Sequence, residues 1–299
     1  MLLTVTIETG DLRLDSYLAS QLPQYSRAYL HTLIAEGFVT IAGQSVKPSS
    51  KTVIGQTVEL AVPDPEPSAM LPEKIPLDVA YEDEWLLVIN KPQGMVVHPA
   101  AGHRSGTLVN ALLDYCAGQL SDLNGVIRPG IVHRIDKDTS GLILVVKDNQ
   151  VHAAVAEKIR HHEVRRTYQA LVNGHVASES GTIEAPIGRD PRNRQKMAVV
   201  ASGKPSVTHF RVLKRYRAAT LIEATLESGR THQIRVHMAY IGNPIVGDPV
   251  YGSGRKNYNL KGQTLHACAL EFDHPVTGKL LRVESPLPPY FQGLLEKLP

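Results

Sequence analysis

The stretch Thr167-Tyr-Gln-Ala-Leu-Val172 alternates in the way that is typical of a β-strand with one buried face. The same alternation returns at residues 207–213 and 219–226, whereas helical spacing of apolar residues occurs at 149–162 and 231–241. Strands outnumber helices and do not strictly interleave with them. The pattern therefore predicts an α+β domain and disfavours a doubly wound parallel sheet.

The N-terminal part of the chain predicts a smaller α/β module. Residues 12–22 and 27–35 have helical patterns, and a glycine at position 37 favours a stop after the second helix. Short strands are predicted at 39–41 and 57–62, where β-branched and apolar residues predominate.

A proline-rich segment follows this module. Residues 63–76 contain five prolines in fourteen positions, and proline both stiffens the chain and removes a backbone donor. We therefore predict a small module at 1–64, a linker at 65–76 and a large domain at 77–299.

The composition excludes several classes of protein. Of the 299 residues, 42% are hydrophobic and 20% are charged, as in ordinary globular chains. Cys116 and Cys268 cannot form a disulfide framework, which favours a reducing, cytoplasmic setting. Residues 1–15 lack the order of a signal peptide, and the most apolar run, 141–146, is only as long as a strand. We therefore expect neither secretion nor contact with a membrane.

Charge is distributed unevenly although the net charge is only +3. Residues 1–66 carry four basic and seven acidic side chains, whereas 160–217 carry twelve basic and four acidic ones. An arginine-rich excess of +8 suits a polyanion such as nucleic acid, but a solvated basic face would have the same composition.

Motifs for cofactor or metal chemistry are missing from the sequence. It contains no GxxxxGK[ST] phosphate loop, no strand-linked GxGxxG, no GxSxG and no HExxH. The thirteen histidines do not have the spacing of a conventional metal site. We therefore predict no cofactor and no metal.

Two apolar segments that we interpret as strands, 131–132 and 142–146, flank a polar loop. It reads Gly130-Ile-Val-His-Arg-Ile-Asp-Lys-Asp-Thr-Ser-Gly141. Arg134 and Lys137 would keep a carboxylate at Asp136 ionised, and an ionised carboxylate can act as a nucleophile or a base. From these residues alone, a polar hairpin tip without chemistry is the simpler interpretation.

A second polar cluster lies at a predicted helix start. It reads Ser228-Gly-Arg-Thr-His-Gln-Ile-Arg-Val-His237 and includes Arg230 and Arg235. A helix start attracts anions through its free N–H groups, but a capped surface helix with solvated arginines would look the same.

Six segments together resemble the RluA family of RNA pseudouridine synthases, and most closely its members that modify large-subunit ribosomal RNA. They are Tyr81-Glu-Asp-Glu with Val88-Ile-Asn-Lys-Pro and Val97-His-Pro99, Gly106-Thr-Leu-Val-Asn-Ala-Leu112, the loop 130–141, Arg166-Thr-Tyr168, 229–237, and Val246-Gly-Asp-Pro-Val-Tyr-Gly252. Each segment alone is weak, but their order and spacing over nearly the whole chain are specific.

The resemblance implies a catalytic domain with a bent, mostly antiparallel mixed sheet and flanking helices. It also implies that the N-terminal residues form an RNA-binding module of the alpha-L type. Because residues 1–66 carry a net charge of −3, contact of this module with RNA or with protein stays open.

The resemblance also assigns roles at an active site that needs no cofactor. Asp136 matches the catalytic aspartate, Arg235 the arginine that pairs with it, and Tyr168 the active-site tyrosine. Arg134 matches the arginine that fills the gap left by the flipped base.

The expected partner is RNA, with neither a membrane nor an obligate protein partner. The predicted RNA-binding residues are Arg134, Arg165, Arg192, Arg194, Lys196 and Arg230. Large-subunit ribosomal RNA is the favoured substrate. Transfer RNA is one alternative, and an RNA-binding ribosome-assembly factor without turnover is another.

Overall fold

A computed structural model gives the fold of residues 2–22, 25, 27–62, 71–99, 103, 105–123, 129–193, 196–252 and 258–299. These described residues form two compact units, one up to residue 62 and the other from residue 71 onward. Residues 65–70, half of the predicted linker, lie outside the described residues, so the predicted domain boundaries stay predictions.

The N-terminal unit packs two helices against a four-stranded antiparallel sheet. The strands are β1 (Leu2–Thr6), β2 (Val39–Ile41), β3 (Gln44–Ser45) and β4 (Thr57–Ala61), and the helices are α1 (Leu14–Gln21) and α2 (Arg27–Ala35). Leu18, Leu30 and Leu60 are fully buried between the two layers. The alternating burial along β4 shows why one face of this strand carries its apolar residues.

Two of the few basic residues in this unit are engaged locally. Arg13 and Arg27 both form ion pairs with the buried carboxylate of Asp15, at 2.9 and 3.3 Å. The hydrogen bond from Arg13 is the main reason why the pKa of Asp15 falls to about 2. These pairs reduce the positive charge that the unit can offer to RNA, and its assignment as an alpha-L module stays a prediction.

The larger unit is built on a nine-stranded mixed sheet. Its elements are β5 (Val79–Glu82), β6 (Leu86–Lys91), α3 (Leu108–Tyr115), β7 (Ser140–Val146), α4 (Asn149–Arg160), β8 (Arg165–Asn173), β9 (Ser180–Glu184), β10 (Ile187–Arg189), β11 (Met197–Val199), β12 (Val207–Arg215), β13 (Ala219–Leu226), α5 (Gln233–Tyr240), β14 (Leu265–Asp273), β15 (Leu280–Glu284) and α6 (Pro289–Glu296). The sheet order is β5-β6-β7-β14-β8-β13-β12-β9, with β15 also paired to β14, and β10 and β11 form a separate hairpin.

This architecture confirms the predicted α+β class and its mostly antiparallel sheet. Among the described pairs of the large sheet, only β7 and β14 run parallel, at Ser140–His266 and Gly141–Ala267. The other pairs, including β8 with β13 and β8 with β14, are antiparallel. Among the helices in the described part of the chain, none has the length and apolar composition that a membrane crossing requires.

Two predicted elements differ from the structure. Ile131 makes only an isolated bridge to Val145, so the predicted strand before the polar loop is wrong as an extended element. The helix predicted at 231–241 begins only at Gln233, because His232 has a left-handed backbone with φ of 59°.

The parallel contact between β7 and β14 is unusually close at Gly141. This residue has φ of +109°, and a Cβ there would lie 2.2 Å from the carbonyl oxygen of Ala267. Only glycine fits such a backbone and such a contact. The polar loop that precedes β7 is thereby held against the centre of the sheet.

A buried lysine supports the same loop from the other side. Lys91 is fully buried at the end of β6, and its Nζ donates to the carbonyl oxygens of Pro92, Met95 and Lys137 at 2.9, 2.8 and 3.0 Å. Three carbonyl acceptors satisfy an ammonium group that water no longer reaches. The backbone is therefore fixed one residue after Asp136.

Candidate active site

The polar loop and helix α5 bring Asp136 and Arg235 together across 99 positions of sequence. The Nη1 atom of Arg235 donates to Oδ2 of Asp136 at 2.8 Å. The Arg235 side chain is 5% exposed and that of Asp136 is 17% exposed, so the pair is largely shielded while the carboxylate keeps an opening to solvent. The predicted pairing of these two residues is thus present as a contact.

A second carboxylate holds the other side of the same guanidinium. Arg235 donates Nε to Oδ2 of Asp248 at 2.7 Å and Nη2 to Oδ1 at 3.0 Å. Asp248 is itself fixed, because Oδ1 also accepts from the backbone N–H groups of Val250 and Tyr251 at 2.8 and 3.0 Å. The bidentate pair with Asp248 fixes the plane of the guanidinium, which leaves Nη1 directed at Asp136.

The charges of Arg235 and Asp248 stay separated. Burial alone would lower the pKa of Arg235, but the hydrogen bond to Asp248 and the charge of Asp136 outweigh it and raise that pKa. Burial would raise the pKa of Asp248, but the bonds from Arg235 outweigh it and lower that pKa. Arg235 therefore stays a cation and Asp248 an anion at neutral pH.

His232 closes one side of the carboxylate. Its Nε2 lies 3.8 Å from Oδ1 of Asp136, and its Nδ1 forms a hydrogen bond of 2.8 Å with the hydroxyl of Tyr251. Burial lowers the pKa of His232, although the charge of Asp136 opposes this change. The face of the Tyr251 ring lies 5.1 Å from the Cζ atom of Arg235, a cation–π contact that packs the far side of the site.

Tyr168 lines the same pocket as Asp136 and Arg235. It lies on β8, is 6% exposed, and packs in the cluster that includes Ile135 and Ile234. Burial is the main cause of the raised pKa of its hydroxyl, so this group stays protonated and able to donate. The three residues predicted as catalytic therefore surround one pocket.

Two of the predicted RNA-binding residues lie at this pocket, and one does not. Arg134 and Arg230 line it with exposed side chains, and Nε of Arg230 donates to the carbonyl oxygen of Pro205 at 3.2 Å. Arg165 is next to a buried residue of β8 and points to the opposite face of the strand, where it lies 3.9 Å from Glu271.

The other basic candidates have different surroundings. Arg192 is exposed, Arg194 lies outside the described residues, and Nζ of Lys196 donates to the carbonyl oxygen of Val250 at 2.9 Å. Lys196 thus supports the turn that follows Asp248. Part of the basic excess predicted from sequence is also neutralised, because Arg211 pairs with Glu223 on the neighbouring strand.

Sequence reasoning gave no role to Asp248, Tyr251 or Arg166. The first two lie in the motif at 246–252, but the contact of that motif with α5 is a tertiary feature.

Within the described ranges, no group of three or more His, Cys, Asp or Glu side chains could hold a metal ion.

Comparisons with known proteins find similar sequences over nearly the whole chain. Residues 85–240 match the family model described as RNA pseudouridylate synthase. An uncharacterized RNA pseudouridine synthase of Bacillus subtilis, YlyB, is 49% identical over 99% of this chain and 97% of its own length. The ribosomal large subunit pseudouridine synthase D of Zymomonas mobilis is 46% identical over 99% of this chain and 96% of its own length.

A solved structure shares the fold of most of the chain. The human RNA pseudouridylate synthase domain containing 1 protein matches with a TM-score of 0.60 and 25% identity, over 73% of this chain and 87% of its own. The matched region of the family model contains Asp136, Tyr168 and Arg235.

Proposed function

This chain belongs to the family of RNA pseudouridylate synthases, which are isomerases, and from that premise we propose that it converts uridines of large-subunit ribosomal RNA to pseudouridine with Asp136 as the catalytic carboxylate. The main support for the role of Asp136 is its contact with Arg235 at 2.8 Å inside a pocket that also contains Tyr168. Support for the ribosomal substrate comes from relatives named for the large subunit, at 45–46% identity.

The reaction requires little beyond a positioned carboxylate. The N1–C1′ bond of uridine breaks, the uracil turns, a C5–C1′ bond forms, and the proton lost from C5 is balanced by one gained at N1. Asp136 can serve by attacking C1′, by attacking C6 of the base, or by removing a proton from C2′ toward a glycal. Each route needs a carboxylate in a fixed position, and the bond from Nη1 of Arg235 at 2.8 Å fixes Oδ2 of Asp136.

Arg235 and Asp248 act together as the support of Asp136. An arginine that bonds only one carboxylate can rotate, whereas the two bonds to Asp248 fix its plane and leave Nη1 for Asp136. A carboxylate oriented in advance lowers the entropic cost of reaching the reacting atom. The second oxygen of Asp136 faces His232 rather than a competing cation.

Tyr168 and Arg134 contact the RNA in this proposal. The buried ring of Tyr168 stacks on the flipped uracil, and its protonated hydroxyl is available for proton handling. Arg134 is exposed at the same pocket, two residues before Asp136, and its planar guanidinium occupies the space that the flipped base leaves. Unstacking the base costs about a few kcal/mol, which such contacts offset.

The decisive experiment compares wild-type protein with Asp136→Asn on large-subunit ribosomal RNA. Asparagine keeps the shape of the side chain but cannot be ionised. We expect Asp136→Asn to form no pseudouridine, as mapped by carbodiimide modification and primer extension, while its RNA affinity changes by less than about threefold. Arg282→Gln is the matched control, because Arg282 lies on β15 with a 60% exposed side chain that is paired to Glu284 and Glu271.

Mapping of total RNA from cells with and without the gene identifies the substrate. Missing pseudouridines in large-subunit ribosomal RNA would support the proposal, and missing ones only in transfer RNA would contradict the proposed substrate. Full activity of Asp136→Asn would refute the role of Asp136. An unchanged modification map would support an assembly factor without turnover. A cytoplasmic location stays a prediction.

A further inference from the structure

Arg166 is a buried arginine in the pocket of Asp136 that has no role in the mechanism proposed above. It is 5% exposed and lies two residues before Tyr168 on β8. Residues i and i+2 of a strand point to the same face, and both side chains line the pocket. Arg166 therefore faces the volume that the nucleotide enters.

The charge of Arg166 is not compensated by the protein. Its Nε is buried and makes no hydrogen bond, and no carboxylate in the described ranges forms an ion pair with its guanidinium. Arg235, the other buried arginine at this pocket, is bonded to two carboxylates. A buried and unpaired cation is destabilising, so its presence in a functional pocket points to an anion that arrives with the ligand.

The surroundings make room for this guanidinium without neutralising it. A Cβ at residue 229 would lie 2.8 Å from Nη1 of Arg166, so glycine leaves the space that the guanidinium fills. His133 accepts a hydrogen bond at Nε2 from the backbone N–H of Leu144 at 2.9 Å. The imidazole of His133 carries no negative charge in either protonation state, so it cannot form an ion pair with Arg166.

The charges around the pocket also favour an anionic ligand. Arg134, Arg166, Arg230 and Arg235 supply four positive charges, and Asp136 is the one acidic side chain among the described residues that line it. Asp248 neutralises part of Arg235 from behind. Four arginines against two carboxylates leave a surplus of at least two positive charges. A phosphodiester, whose two non-bridging oxygens share one negative charge and can both accept from a guanidinium fork, fits this surplus better than an uncharged base.

We propose that Arg166 binds the phosphodiester group that adjoins the target uridine and thereby places the ribose against Asp136. This inference rests on the proposed function, because it takes the flipped uridine as the ligand of the pocket. Arg166 is a binding residue for the RNA backbone, and it selects the position of the nucleotide rather than the identity of its base.

The test neutralises the phosphate and the arginine separately and together. A short ribosomal RNA with a uridine that the wild-type enzyme modifies is made with a single methylphosphonate on its 5′ or its 3′ side. We expect one of these two RNAs to bind the wild-type protein about 10- to 100-fold more weakly than the natural RNA. Arg166→Gln should bind the natural RNA with the same loss, and the methylphosphonate should add less than about threefold to it.

Several outcomes would overturn this inference. If neither methylphosphonate weakens binding to the wild-type protein, no phosphate is bound there. If each methylphosphonate weakens the binding of Arg166→Gln as much as it weakens the binding of the wild type, the losses multiply. Arg166 then contacts another group, such as a uracil carbonyl. Arg282→Gln is the control and should show the full loss with the methylphosphonate RNA. The wild-type measurements do not depend on the folding of a variant, and Arg166→Lys keeps the charge and should retain part of the coupling.

The melting temperature of Arg166→Gln and the activity of the wild-type enzyme distinguish a failure of this inference from a failure of the proposed function. Arg166→Gln removes an unpaired buried charge, so it should melt at the wild-type temperature or above it, whereas an arginine with a purely structural role would lower that temperature. If the wild-type enzyme modifies no uridine of ribosomal RNA, the proposed function fails. If it modifies the uridine but the two losses multiply, only the assignment of Arg166 fails.

Discussion

Arg235 is bound to Asp248 through two hydrogen bonds, Nε to Oδ2 at 2.7 Å and Nη2 to Oδ1 at 3.0 Å, on the side away from Asp136. The Asp248 side chain is completely buried. The orientation of Arg235, and through it that of Asp136, is therefore set by a residue that does not itself line the pocket. Asp248 is a positioning residue, and its removal should lower both the reaction rate and the stability of the protein.

Asp248→Asn tests this arrangement. The variant removes the buried anion that bonds Arg235 at two atoms and leaves Asp136 as the remaining carboxylate partner, and we expect the free energy of unfolding to fall by about 3–5 kcal/mol. We also expect the rate of pseudouridine formation at saturating RNA to fall by about 10- to 100-fold, as when an orienting partner of a functional group is removed. Urea unfolding and the release of tritium from C5-labelled RNA measure the two effects.

Glu179→Gln is the control for Asp248→Asn. Glu179 pairs with Arg215 at 2.6 Å, but its side chain is 79% exposed, so the change in stability should be much smaller. A role for Asp248 in packing alone would lower stability and leave the rate per folded molecule unchanged. That combination would contradict the positioning role, whereas a lower rate at unchanged RNA affinity supports it.

The fold was predictable wherever residue patterns are local. The helix at 27–35 and the strand at 219–226 were predicted with the bounds that the structure has. β14 was missed, because this central strand pairs on both sides. Its first three residues, Leu265–Ala267, are all buried, so burial does not alternate there. Its pairing with β7 joins residues more than 120 positions apart, which no local pattern encodes.

The site was predictable only as far as motifs mark it. The resemblance to a family indicated Asp136, Tyr168 and Arg235, and the structure places all three at one pocket. Asp248 and Arg166 are defined by what they contact across the fold, or by the absence of such a contact. The charge excess at 160–217 overstated the free cations, because acidic partners such as Glu223 and Glu271 lie outside that segment.

Acid should destabilise the protein through buried histidines. Burial lowers the pKa of His133 to about 3 and that of His266 to about 4, from 6.5 in the unfolded chain. Between pH 6.5 and 4 the unfolded chain therefore binds protons that the folded protein does not, and stability rises with pH. We expect each histidine to cost about 1.4 kcal/mol per pH unit as the pH falls through this window.

His266→Gln separates this effect from general acid unfolding. Its urea midpoint should fall less than that of the wild type between pH 7.5 and 5, although it starts lower because the bond of His266 to Ser140 at 2.9 Å is changed. His161→Gln, at a side chain that is 61% exposed, should keep the wild-type dependence. Equal falls in His266→Gln and wild type would show that another group controls the acid transition.

The basic stretch beyond β10 makes a separate prediction about affinity. Replacing Arg192, Arg194 and Lys196 together by glutamine should weaken RNA binding, and the slope of log affinity against log salt should shrink by about 0.7 for each phosphate that the variant no longer neutralises. Because Lys196 also bonds the carbonyl of Val250, the single variant Lys196→Gln should affect the turnover rate more than the salt slope. Filter binding over a salt series measures the slope. An unchanged slope in the triple variant would assign these side chains to a solvated face.

Gly141→Ala tests whether the close contact of β7 and β14 holds the catalytic loop. The new Cβ would lie 2.2 Å from the carbonyl oxygen of Ala267 at a φ of +109°, so we expect a loss of about 3 kcal/mol or more of unfolding free energy. Gly118→Ala separates backbone strain from the contact, because Gly118 has φ of +86° but nothing within 4 Å of its Cβ position, and it should lose only about 1–2 kcal/mol. Urea unfolding gives both values. The folded fraction of Gly141→Ala should also form pseudouridine more slowly, because β7 and β14 must separate just beyond Asp136. Equal stability losses in Gly141→Ala and Gly118→Ala would show that the strands adjust to a side chain at position 141.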